Sequence, residues 1–282
     1  MLLSPGKAER EPWTMFFVGI IYASLAILLV NWIFSGDAVL DKYSGILVVT
    51  FTVMFSLPFM YYLIKNEEEK DFKYEGSFRI LKEHSKAIVA LLFLFLGFIV
   101  AFSFWYVILA SNQSFRAQIE TYCLINRPSN FNECVAQYGI KEVSKTTAFL
   151  TAKERIFMIF SNNIYVLIFT LIFSLIFGAG AIFILAWNAS VIAAAVGIFT
   201  QSDLASLPFG IMRYMIHGMP EIAAYFVGAL AGGIVSIAII KHDLKTEKFW
   251  SILQDSLNLI IIAIVILFVA ALIEVFITPM LF

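Results

Sequence analysis

The chain has 282 residues, 61% of them apolar and only 14% charged, against about 25% charged in an ordinary soluble domain. Nineteen Lys and Arg face 20 Asp and Glu, for a formal charge of -1. There is no basic excess to recruit nucleic acid, and the composition is that of an integral membrane protein.

In chain order, seven windows are apolar and long enough to cross a hydrocarbon core of about 30 Å, which takes about 20 helical residues. They fall near 14–34, 44–64, 87–109, 158–178, 181–200, 217–240 and 256–279. The run from Phe157 to Phe199 is uncharged and too long for one span, so a turn is expected at Gly178-Ala-Gly180. The sequence therefore predicts an all-α, polytopic bundle of about seven helices. The first window exceeds the apolar core of a cleavable signal and is expected to stay as an anchor.

Orientation is read from Lys and Arg in the short loops. Lys65, Lys70, Lys73, Arg79, Lys82 and Lys86 lie between the second and third windows, and Lys241, Lys245 and Lys248 between the sixth and seventh. Those loops are expected in the cytoplasm, with the N-terminus, and the C-terminus outside the cell membrane. The organisation predicted is a three-helix part at 1–110, an extracytoplasmic loop at 111–156 and a four-helix part at 157–282. That loop holds both cysteines, Cys123 and Cys134, and an oxidising compartment predicts a disulfide between them. It also holds the sequon Asn112-Gln-Ser.

The chemically unusual residues lie in the four-helix part. His217 and Glu221 open the sixth window and Glu274 lies near the end of the seventh, so topology sets all three at one depth near the outer face. At about 100° per residue, His217 and Glu221 fall within ~40° of each other, on the stripe of Ala224, Gly228 and Gly232. The G-x-x-x-G spacing admits a close helix, either in this chain or in a second copy. Pro220 suits a first turn, which predicts a helix start near Gly218 and a carboxylate at its positive end.

Two readings stand side by side for this trio. It is a hydrogen-bonded clasp between helices, with Arg213 neutralising a carboxylate, or it is a functional site: a divalent metal on one imidazole and two carboxylates, or a proton or cation relay. Asn162, Asn163 and Asn188 are further candidate binding residues, with interhelical bonding their commonest use. No H-E-x-x-H, G-x-S-x-G or phosphate-cradling glycine loop is present.

Three pieces carry a family resemblance: 162-NNIYVLIFTLIFSLIFGAGAIFILAWNA-189, 216-IHGMPEIAAY-225 and 271-ALIEVFITPML-281. In that order they resemble the stage II sporulation protein M family, also described as DUF95. His217, Gly218 and Glu221 match its His-Gly-x-x-Glu element. Glu274, Thr278 and Pro279 match its closing Ile-Glu-x-x-x-Thr-Pro segment, and Asn188 matches an asparagine of the fifth helix. The resemblance covers 158–282, and the earlier helices by hydrophobic pattern only. Ala189 stands where the family often has Gly, Ile216 where it often has Pro, and the cysteine-bearing loop is unmatched. The resemblance implies a non-enzymatic membrane scaffold or assembly protein working with cell-envelope partners, as its namesake does with peptidoglycan-degrading proteins. A cation- or proton-coupled transporter and a metal-dependent intramembrane hydrolase are the alternatives.

Overall fold

Long apolar runs with no water to satisfy the backbone leave helices as the way to close every N–H and C=O within one segment. A computed structural model describes residues 8, 10–34, 37, 40–71, 77–109, 112–126, 130–138, 151–177, 181–200, 203–240 and 247–281. Among them there are helices and turns but no strands. The helices are α1 Thr14–Phe34, α2 Ser44–Asp71, α3 Ser77–Leu109, α4 Arg116–Asn126, α5 Phe131–Gln137, α6 Ala152–Phe177, α7 Ala181–Phe199, α8 Leu207–Ile240 and α9 Glu247–Leu272. A π-helical turn at Ile273–Ile277 and a short helix, α10 Thr278–Leu281, complete the last span. Among the described residues seven helical segments are long and apolar enough to cross a membrane, as the sequence predicts. The expected turn at Gly178-Ala-Gly180, and Lys73 and the loop positions 241–246, lie outside the described residues.

Close helix contacts are made where side chains are smallest. Gly19 on α1 and Gly97 on α3 face each other, and a Cβ at Gly97 would stand 3.0 Å from the Cα of Gly19. Trp105 of α3 donates to Ser24 of α1 at 2.9 Å. One continuous apolar core, from Met15 and Ile27 through Phe98 and Phe102 to Val196, Phe226 and Leu267, runs through the front and back helices alike.

Within the segment 111–156 the described residues form two α-helices ahead of α6. These, α4 and α5, pack over one end of the bundle, with Phe115, Ile119, Cys123 and Cys134 buried in the common core. Gln118 reaches down from α4 and donates to the Gly45 carbonyl at 2.8 Å and to Ser190 of α7 at 3.2 Å. The disulfide between Cys123 and Cys134 is formed, with Cα atoms 5.7 Å apart. The structure thus shows a stapled cap. Hydropathy could not reveal it, because Arg116, Gln118 and Glu120 keep α4 well short of the apolar run that marks a span.

The sixth span differs from expectation at its start. It begins at Leu207, so Pro220 lies inside the helix and His217 and Glu221 are in its body, not at its N-terminus. The start is fixed earlier by Asp203, whose carboxylate accepts from the backbone N–H of Ala205 and Ser206 at 3.2 and 3.1 Å and from the Ser206 hydroxyl at 2.7 Å. Pro208 then occupies the first turn, where its missing N–H costs nothing. Arg213 and Gly210 interrupt the hydropathy of 207–216 and hide these turns from a window scan. The helix dipole at the N-terminus therefore does not act on Glu221, since that effect fades within one turn.

Candidate functional site

The site is built on α6, α8 and the end of the last span. Asn163 of α6, 5% exposed, stands opposite Glu221 and Tyr225, one turn apart on α8. Its amide donates to Glu221 Oε1 at 2.8 Å, and its carbonyl oxygen accepts from the Tyr225 hydroxyl at 3.0 Å. One buried amide thereby satisfies two polar groups of a neighbouring helix, at a depth where each unmet group would be costly. Asn162 reaches the same oxygen from 3.5 Å, the limit of a hydrogen bond.

The third element enters through the π turn. Pro279 has no N–H and its ring collides with the carbonyl four residues back, at Val275. The chain responds by widening: Thr278 gives its backbone N–H to the Ile273 carbonyl, five residues back, and its hydroxyl to the same oxygen at 3.3 Å. Thr278 is thereby buried beside His217, with His217 Nδ1 3.3 Å from Thr278 Oγ1. The same turn carries Glu274, which lies within electrostatic reach of Glu221 and Tyr225 on α8 and of Arg155 on α6. Among the described residues Glu274 makes no side-chain hydrogen bond. Ile159 of α6 packs on Ala271 and Val275, and the rings of Phe160 and Phe268 meet edge to face at 5.7 Å, so α6 and α9 close at this end.

The sequence-predicted trio is therefore split between partners. His217 meets Thr278 and Glu221 meets Asn163, while Glu274 is in electrostatic reach of Glu221 and of Arg155. Among the described residues no three His, Cys, Asp or Glu side chains are grouped to hold a metal ion. Arg213 stacks its guanidinium on Phe199, with Cζ 4.6 Å from the ring centre, and acts electrostatically on His217. Asn188 bonds back to the Ile184 carbonyl of its own helix at 2.7 Å, not across helices.

Glycine packing holds the same pair of helices together below the site. A Cβ on Gly228 would strike Leu167, and one on Gly232 would lie 2.7 Å from the Leu171 carbonyl. Ser174 adds a bond to the Ala229 carbonyl at 2.5 Å. Of the close helices that the G-x-x-x-G spacing admits, the structure shows α6 of the same chain packed on Gly228 and Gly232.

Sequence reasoning missed the tyrosines. Tyr225, 1% exposed, is one turn beyond Glu221 on the same stripe, which was a usable signal. Tyr214 lies edge-on to His217, with ring centres 6.1 Å apart, and its hydroxyl meets Tyr122 of α4. Because Tyr122 is next to Cys123, the stapled cap touches the polar site. Nothing in the sequence pairs two tyrosines so far apart.

Among the described residues, seven helices long and apolar enough to cross a membrane, three of them sharing a buried polar site, define a multi-pass helical membrane protein. The chain belongs to the stage II sporulation protein M family, whose model matches residues 49–279 and so includes the second and third spans as well as the motif-bearing part. Comparison with curated proteins and with solved structures finds no significant match.

Proposed function

We propose that this protein is a scaffold or assembly protein of the cell membrane, in which the bonds of Asn163 to Glu221 and of His217 to Thr278 fix the arrangement of α6, α8 and the end of the last span and so the surface offered to membrane or cell-envelope partners. The observation that carries this reading is the pairing of Asn163 with both Glu221 and Tyr225. A site poised for a ligand keeps donors and acceptors open, whereas these groups are bonded helix to helix. The family membership supports a role of this kind. Cross-linking in native membranes followed by mass spectrometry tests it. The reading expects a recurrent set of envelope partners, retained in Glu221→Gln, which keeps the bond to Asn163. Cross-links confined to the chain itself would contradict it.

A second reading is favoured by one observation, that Glu274 and Glu221 lie within electrostatic reach of each other in spanning helices. Like charges coupled within spanning helices are eased by a proton on one carboxyl or by a nearby cation, and Arg155 of α6, within electrostatic reach of Glu274, is one such charge. In that reading the protein is a proton- or cation-coupled transporter, and Glu274, on a π turn of the kind often found at functional positions, is the group that exchanges its ligand.

A further inference from the structure

At the end of the bundle away from the polar site, α6 and α9 part. Phe160 and Phe268 hold them together at one end, but further along Leu171 and Leu175 face Leu253, Leu257 and Ile260 across a groove of about 360 Å³ floored by Ala231, Gly232 and Val235 of α8. The groove is apolar except for Ser256, which is 2% exposed and whose hydroxyl has no hydrogen-bond partner among the described residues.

The geometry points to a binding site for one phospholipid acyl chain in this groove. Its walls are continuous with the face the protein turns to the bilayer: Leu253 and Leu257 line it and are themselves exposed, and Ile172 of α6 and Ile261 of α9 extend the same apolar surface on either side. Its size selects the occupant. A helix about 10 Å across fills roughly 120 Å³ for each residue of rise, so the groove takes no more than about three residues of a helix. A slender hydrocarbon chain fits along it, and the volume lies within the range of small-molecule sites. The groove carries no charge and needs none, since methylenes ask only for dispersion contacts and exclusion of polar groups. Gly232 sets its depth, because any side chain there would drive α6 outward from the Leu171 carbonyl.

The test uses the full chain purified in mild detergent. Native mass spectrometry is expected to find one phospholipid per chain that survives exhaustive detergent exchange, reduced at least tenfold in Val235→Trp, which fills the groove, and unchanged in Ile264→Trp on the outer face of α9. Equal retention in the two variants would overturn the proposal. Should Val235→Trp fail to fold, the wild type decides: a lipid with a diazirine in its acyl chain should label Leu175, Leu253 and Leu257 after detergent exchange and not Val265 or Val269. Uniform labelling, which marks loosely held annular lipid, contradicts the site. So does capture of a polypeptide instead of lipid by a photoreactive residue placed at Leu257.

Discussion

Asn163 on α6 donates to Glu221 on α8 at 2.8 Å while accepting from Tyr225, one turn further along the same helix, at 3.0 Å. A single side chain thus holds two polar groups of a partner helix, and its loss leaves both without it. Asn163→Leu should lower stability by about 1–3 kcal/mol, the cost of leaving buried polar groups unmet, seen as a lower Tm in detergent. Glu221→Gln, which keeps an oxygen for the Asn163 amide, should cost less. Equal losses would show that the charge and not the bond matters.

The glycines give a sharper contrast. A Cβ at Gly232 would lie 2.7 Å from the Leu171 carbonyl, but at Gly233 its nearest neighbour, the Ser174 hydroxyl, is at 3.6 Å. Gly232→Ala should therefore separate α6 from α8 and reduce the yield of folded protein, with Gly233→Ala close to wild type. Fluorescence-detected size exclusion of the two variants in parallel is a sufficient measurement.

The staple between Cys123 and Cys134 closes a short loop, separation 11. Closing a loop of this size restricts the unfolded chain and is worth about 2–4 kcal/mol. Cys123→Ser with Cys134→Ser should lower Tm and raise hydrogen exchange in α4. Because Tyr122 meets Tyr214, the increase should extend to α8 around His217 and leave the α1 and α3 contact at Gly19 and Gly97 unchanged.

Asp203 supplies a pH dependence outside the membrane spans. Hydrogen bonds from the Ser206 hydroxyl, and then from the N–H groups of Ala205 and Ser206, hold its carboxyl below the usual carboxylate range. The fold therefore favours the ionised form. Its contribution is present above the unfolded value and is lost as pH falls through the lower folded value. Amide protection in the first turn of α8 should fall in that acid window in wild type, and Asp203→Asn should remove this dependence.

The seven spans were legible because hydrocarbon allows few alternatives to a long apolar helix. His217, Glu221 and Glu274 were legible as ionisable groups where such groups are scarce. What they bond was not. The choice of Asn163 over Glu274 as the partner of Glu221 depends on how α6 rotates against α8, and Leu167, Leu171 and Gly232 settle that through packing. The start of α8 was misplaced because Pro220 is also acceptable in a helix interior whose neighbours hold it. The π turn was hidden because its cause, Pro279 acting on the Val275 carbonyl, has no signature in hydropathy. The cap was hidden because Gln118 is polar and yet fully buried.

The central claim is that the polar site clasps helices in a scaffold and does not carry solute. Its most direct test is proton and sodium flux into proteoliposomes of purified protein, under both a pH and a sodium gradient, with wild type and Glu274→Gln side by side. The scaffold account predicts fluxes equal to those of protein-free vesicles for both. A wild-type flux well above that baseline, abolished by Glu274→Gln in a protein that remains folded, would contradict it.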